Sequence, residues 1–276
     1  MRVAIIGFGA IGHVIEKALD GRADVVPIDR TRAPLRADEQ PVDVAIISVK
    51  TPGTPWAVEV AQHVVAREGT AITIQNGLGN YEALVAAIGE RRAAVGVIYV
   101  GARLDENGAL QATGAGRAEL GYPLGTASRP KIDELAKLLR GGGMTIAVLK
   151  DPWSAVWRKV VTNAAVNPTT ALLGRVNSDL LGDPAMGLIA DGLAREVARV
   201  ATAAGVRMPE DDAVKWWREM AQLTGPNRSS MLQDVEAKRV TEVDAINGAV
   251  FREGQRHGVP APLNQAMTLL VSALHP

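Results

Sequence analysis

Val3-Ala4-Ile5-Ile6-Gly7-Phe8-Gly9-Ala10-Ile11-Gly12 reads as a strand, a tight turn and the opening of a helix. Val3 to Ile6 is a short β-branched run, and apolar residues then recur at helical spacing from Ile11 to Leu19. The six residues Gly7, Phe8, Gly9, Ala10, Ile11 and Gly12 fit G-x-G-x-x-G. In that pattern Gly7 permits the turn, Gly9 lets the backbone approach a pyrophosphate, and Gly12 lets the helix pack close to the strand. The helix N-terminus adds free N–H groups and a partial positive charge suited to phosphates. Glycines are common at turns, so the order strand, turn, helix is what makes this stretch a candidate dinucleotide cradle.

Working outward, further strands are expected at Asp24–Ile28, Val42–Ser48, Thr70–Ile74 and Ala94–Val100, with helices at Trp56–Ala66 and Tyr81–Ile88. The strands are apolar along their length rather than alternating, which predicts a parallel sheet covered on both faces. After Val100 the pattern becomes short and alternating around the turn Glu106–Asn107–Gly108, as in antiparallel strands that extend the sheet. A helix at Ile132–Arg140, the stop Gly141–Gly143 and a strand at Met144–Leu149 follow. From Pro152 on, only helices are read, over 153–167, 184–204, 209–222, 228–238, 242–257 and 263–274. The expected class is α/β: a dinucleotide-binding domain over 1–150, then an all-helical domain over 151–276.

Composition removes several classes of chemistry. The 276 residues carry 30 basic and 30 acidic side chains, so no excess positive charge is available to grip nucleic acid. With no cysteine, disulfides, thiolate metal sites and a cysteine nucleophile are excluded. The four histidines, His13, His63, His257 and His275, have no metal-ligand spacing, so no metal is expected. No apolar run reaches the roughly 18 residues of a membrane span, and the N-terminus lacks the marks of a signal peptide. The expectation is a cytoplasmic enzyme or binding protein with a small-molecule partner, not nucleic acid or membrane.

Residues just after parallel strands lie on the rim where ligands bind in such sheets. Asp29, twenty positions past Gly9, can accept from ribose hydroxyls and would repel a 2′-phosphate, whereas Arg30 and Arg32 can pair with that phosphate. The residues alone lean towards NAD. Lys50 follows the third strand and Asn76 the fourth, both placed for ligand contact, although Asn76–Gly77 is also turn chemistry.

In Trp153–Pro168, Lys159, Asn163 and Asn167 are spaced i, i+4, i+8. Each step of four drifts about 40° and rises about 6 Å, so the three form one polar stripe. Their neighbours Val156, Val160, Val161, Ala164, Ala165 and Val166 predict a buried helix, in which lysine and amides need partners from the protein or from a ligand. A second cluster runs from Asn227 to Asp234, where Asn227 or Ser229 can cap a helix. Thr241 can cap the next helix, with a weak box to Asp244, and Glu242 then sits in its first turn.

Together these segments resemble the ketopantoate reductase (2-dehydropantoate 2-reductase) family. The matching pieces are GFGAIG at Gly7–Gly12, Val49–Lys50, QNGLG at Gln75–Gly79 and WRKVVTNAAVNP at Trp157–Pro168. SSMLQD at Ser229–Asp234, TEVDAINGAV at Thr241–Val250 and GVPAPLN at Gly258–Asn264 complete the set, in family order. The resemblance implies a Rossmann domain and a helical domain with substrate in the cleft between them, a homodimer, and reduction of a 2-oxo acid in pantothenate biosynthesis. It implies Lys159 as proton donor to the keto oxygen and Glu242 as the group that orients substrate and offsets the lysine's charge. Asn163, Asn167, Asn227 and Ser230 match substrate-contacting positions, and Lys50 and Asn76 match positions near the nicotinamide. It also implies NADP, through a basic residue at the end of the second strand; Arg30 satisfies that and Asp29 opposes it. The connection Thr31–Pro41 is shorter than is usual in the family. Two rival readings stay open: an NAD-dependent 2-hydroxyacid dehydrogenase on the same scaffold, and a dinucleotide sensor without turnover.

Overall fold

The structure, a computed structural model, describes residues 1–31, 40–123 and 128–274. Arg32, His275 and most of the short connection before Pro41 lie outside the described residues. The chain divides into two compact units, Met1–Gln75 with Gly79–Pro152, and Asn76–Leu78 with Trp153–Pro276.

The first unit contains β1 (Arg2–Ile6), α1 (Ala10–Leu19), β2 (Asp24–Ile28), β3 (Val42–Ile47), α2 (Thr54–Val64), β4 (Val65–Thr73), α3 (Asn80–Ile88) and β5 (Ala93–Tyr99). Then come β6 (Ala102–Leu104), β7 (Leu110–Ala112), β8 (Arg117–Gly121), α4 (Arg129–Gly141) and β9 (Thr145–Leu149). Seven strands form one sheet in the order β2-β1-β3-β4-β5-β8-β9. The pairings from β2 through β5 are parallel, as the continuous apolar strands predict. Pro27 sits on edge strand β2, where its missing N–H costs no ladder bond. The apolar core gathers Val3, Ile5, Val44, Ile46 and Ile72 from the sheet with Ile15 and Leu19 of α1 and Ile132 and Leu135 of α4.

The expected antiparallel region resolves into two parts. β6 and β7 make a separate two-stranded hairpin, while β8 runs antiparallel to β5 and parallel to β9, so only β8 and β9 extend the sheet. The β3–β4 ladder jumps from Val42↔Val65 to Val44↔Thr70. The chain between those partners bulges out, which is why the periodic strand signal begins at Thr70.

The second unit holds α5 (Trp153–Leu173), α6 (Asp179–Gly182), α7 (Pro184–Ala203), α8 (Glu210–Leu223), α9 (Ser230–Glu236), a π-helical turn (Asp244–Gly248), α10 (Ala249–His257) and α11 (Pro262–Ser272). Its core centres on Trp157, Val161, Leu180, Leu193, Val197, Trp217 and Ile246. The four-residue α6 lies outside every expected helical range, and two further helices depart from expectation. α5, expected over 153–167, continues to Leu173, although Pro168 inside it lacks an N–H and crowds the carbonyl four residues back. The helix expected from 242 opens instead with the π turn, and no capping box forms. The Val243 amide reaches Thr241 Oγ1 at 3.5 Å, and exposed Asp244 pairs with Arg252 at 2.7 Å. The α-ladder fails there because the Ala245 carbonyl accepts from the Leu78 N–H at 3.0 Å, and the Ala249 N–H turns to the Ile246 carbonyl.

Candidate active site

The glycine loop joins β1 to α1 at the carboxyl end of β1, whose neighbours are β2 on one side and β3 on the other. That reversal of strand order is where open α/β sheets bind ligands. Gly7 has φ +100°, and a Cβ there would lie 2.6 Å from the Val49 nitrogen. A Cβ on Gly12 would lie 2.6 Å from the Gly7 carbonyl oxygen. Gly9 differs, since a Cβ there would meet nothing within 4 Å. Ser48 braces the turn by donating from Oγ to the Gly7 carbonyl at 2.7 Å. The first turn of α1 carries no acidic residue, so its positive end is not neutralised from within the helix. This geometry fits a dinucleotide pyrophosphate laid against Gly9, with Phe8, Ala10 and Ile11 around it.

At the end of β2, Asp29 Oδ1 accepts from both the amide and the hydroxyl of Thr31, at 2.8 and 2.6 Å. Arg30 is exposed, and its Nη2 lies 3.5 Å from where a Cβ on Gly53 would stand. Lys50 is exposed and precedes the short helical turn Thr51–Gly53.

In the second unit the polar stripe of α5 forms as its spacing predicts. Val156, Val160, Val161, Ala164, Ala165 and Val166 are buried around it, while Lys159 and Asn163 keep partial exposure. The tripeptide Asn76–Leu78 packs with this unit: Gly77 has φ +83°, and a Cβ there would lie 2.2 Å from the Ala245 oxygen. Asn76 Nδ2 donates to Glu242 Oε2 at 3.0 Å, and Asn163 Nδ2 reaches Asn76 Oδ1 at 3.4 Å. Glu242 itself is only 8% exposed. Burial pushes the Lys159 ammonium down from its ordinary 10.5 to about 8, and the negative charge of Glu242 works against that shift. The arrangement therefore offers a lysine that is a stronger acid than usual, a buried carboxylate, and two amides, Asn76 held by that carboxylate and Asn163 by Asn76.

The remaining expected residues lie apart in character. Asn167 is buried one turn along from Asn163. Asn227 and Ser230 are exposed, on either side of buried Ser229. It is Ser229, not Asn227, that caps α9, accepting the Leu232 N–H at 3.1 Å and the Thr170 hydroxyl at 2.8 Å. A further buried set, Glu196, Asn247 and Asn264, escaped the sequence reading. Its only local mark is an asparagine at position 247 between apolar Ile246 and Val250. Among the described residues no cluster suits a metal ion, and no helix is long and apolar enough to cross a membrane.

Comparison with known proteins follows the same division of the chain. The family described as Ketopantoate reductase PanE/ApbA matches residues 31–125, and its C-terminal family, Ketopantoate reductase PanE/ApbA C terminal, matches residues 151–275. A 2-dehydropantoate 2-reductase of Pyrobaculum aerophilum is 33% identical, over 98% of this chain and 96% of that protein. One from Archaeoglobus fulgidus is 30% identical, over 98% of this chain and 96% of that protein. The crystal structure of 2-dehydropantoate 2-reductase from Geobacter metallireducens GS-15 is 27% identical, covers 99% of each chain and superposes with a TM-score of 0.88. With matches running the length of both units, the chain belongs to the ketopantoate reductase PanE/ApbA family.

Proposed function

We propose that this protein reduces 2-dehydropantoate (ketopantoate) to pantoate with a reduced nicotinamide dinucleotide. The observation that carries the reading is Lys159, made more acidic by burial and facing the charge of Glu242, in a chain whose relatives carry that activity in their names. A sensor has no use for a proton donor of this kind.

In this reading the first unit holds the coenzyme and the second the oxo acid. The coenzyme, when bound, supplies a hydride to the keto carbon. The keto oxygen gains negative charge as that carbon is reduced, and the Lys159 ammonium stabilises it and delivers a proton. At pH 7 a group titrating near 8 is still protonated, so the donor is ready. Glu242 accepts from the substrate's hydroxyl and holds Asn76 in place, and Asn163 and Asn167 bind polar atoms of the substrate. Asn227 and Ser230, at the exposed start of α9, complete the substrate contacts. Lys50 offers an exposed cation to the coenzyme or to the acid's carboxylate.

The coenzyme is NADPH in this proposal, with Arg30 as the partner of the 2′-phosphate. Support comes from the exposed position of Arg30 and from the engagement of Asp29 Oδ1 by Thr31. The helical unit pairs in a homodimer, a reading carried over from the family to which the chain belongs. Light scattering tests that state.

The deciding assay follows NADPH and NADH oxidation separately, with ketopantoate and a panel of 2-oxo acids. Turnover of ketopantoate well above the others is expected. No turnover of any oxo acid overturns the reading. The rival favoured by Asp29, an NADH-dependent reductase of another oxo acid, shows itself in the same experiment.

A further inference from the structure

Pro168 lies inside α5, so the Ala164 carbonyl has no intrahelical N–H to accept. A buried carbonyl in that position needs another donor. Asn247 supplies it: Nδ2 donates to the Ala164 oxygen at 3.1 Å and also to Asn264 Oδ1 at 2.9 Å. Asn264 Nδ2 in turn donates to Glu196 Oε2 at 2.9 Å, and Glu196 also accepts the Leu263 and Asn264 backbone N–H groups, both at 2.9 Å. All three side chains are at most 3% exposed. The direction of the chain follows from Glu196. A carboxylate only accepts, so Asn264 must turn its NH₂ towards it and its oxygen towards Asn247. Asn247 must then present NH₂ to Asn264, and its second N–H falls on Ala164.

We infer that Asn247 is a positioning residue for the proton-donor helix: its amide replaces the N–H that Pro168 lacks and so keeps the segment carrying Lys159, Asn163 and Asn167 in one continuous helix. The π turn sets it there. Ala245, two residues earlier, gives its carbonyl to Leu78, so one short stretch holds Asn76 through Glu242, the 76–78 tripeptide through Ala245 and α5 through Asn247. The inference rests on the reading of Lys159 as proton donor.

The test uses the full chain with lysine labelled at Nζ, the Lys159 signal being assigned by its loss in Lys159→Met. Wild type should titrate near 8. In Asn247→Ala the helix loosens and water reaches the ammonium, so the midpoint should rise by at least about half a pH unit. In the same variant kcat should fall at least about tenfold, with a smaller change in KM. Adding Pro168→Ala restores an intrahelical donor to Ala164, and the double variant should recover both quantities. A lowered Tm with unchanged midpoint and kcat in Asn247→Ala would overturn the inference, as would a double variant no better than the single. If Asn247→Ala does not fold, the double variant decides: a wild-type-like midpoint supports the inference and failure to fold overturns it. The titration needs neither substrate nor coenzyme, so a wild-type protein that reduces no oxo acid sinks the reductase reading and leaves this arm legible.

Discussion

The side-chain amide of Asn76 donates to Glu242 at 3.0 Å across 166 positions of chain. It brings a loop residue that follows β4 onto the carboxylate whose charge acts on Lys159. Each partner thereby limits the freedom of the other, and Asn163, at 3.4 Å from Asn76, is drawn into the same set.

The pH dependence of Lys159 is the first expectation. As the proton donor it must be charged, so kcat/KM for reduction should fall as pH rises through about 8. Stability runs the other way. The folded value lies below the unfolded 10.5, so between about 8 and 10.5 the unfolded chain binds more protons and unfolding becomes harder as pH rises. Lys159→Met should therefore raise Tm at pH 7 while lowering kcat by about 10²–10⁴-fold. Calorimetry and initial rates on one preparation check both signs.

Glu242→Gln removes the charge that holds the Lys159 value up. The alkaline limb of the rate profile should move to lower pH. A lost hydrogen bond to a charged group costs about 1.5–3 kcal/mol, which is about a 10- to 100-fold rise in KM for the oxo acid. Asn76→Ala should raise KM less and leave the limb near its wild-type position, since Asn76 carries no charge.

The glycine loop separates packing from binding. Gly7→Ala imposes a positive φ on a residue with a side chain and drives its Cβ towards the Val49 backbone, so Tm should fall and coenzyme binding should be lost. Gly9→Ala meets open space. Its stability should stay within about 0.5 kcal/mol of wild type, while coenzyme Kd rises at least about tenfold because the methyl occupies the approach to the pyrophosphate. Fluorescence titration beside thermal melts distinguishes the two.

Coenzyme choice is tested at the end of β2. Arg30→Ala should raise the KM for NADPH about tenfold and leave that for NADH unchanged, since an exposed guanidinium loses one charge-assisted contact. Asp29→Ala should lower the KM for NADPH by removing a like charge. An Arg30 effect equal on both coenzymes would remove it as the reader of the 2′-phosphate.

Local rules carried much of the first unit. β-branched runs at the spacing of a βαβ chain read directly as parallel strands, and the turn at Gly7 follows from its place between strand and helix. The lysine–asparagine stripe was also legible, because 3.6 residues per turn places 159, 163 and 167 together whatever the helix packs against. β8 and β9 were harder, since a short alternating run does not say which sheet edge it will join. The end of α5 is not legible locally. A proline leaves the carbonyl four residues behind it bare, and here Asn247, 83 positions away from Ala164, covers it.

Neighbours a few positions apart set the glycine turn at Gly7–Gly12 and the polar face of α5 that carries Lys159, Asn163 and Asn167. Long-range packing, by contrast, makes Asn76 meet Glu242, lets the π turn yield a carbonyl to Leu78, and has Glu196 fix which way two buried asparagines point. Those outcomes depend on which backbone and side-chain groups are left unsatisfied when helices pack. Buried polar groups must find partners wherever the chain brings them, and no local periodicity records where that is.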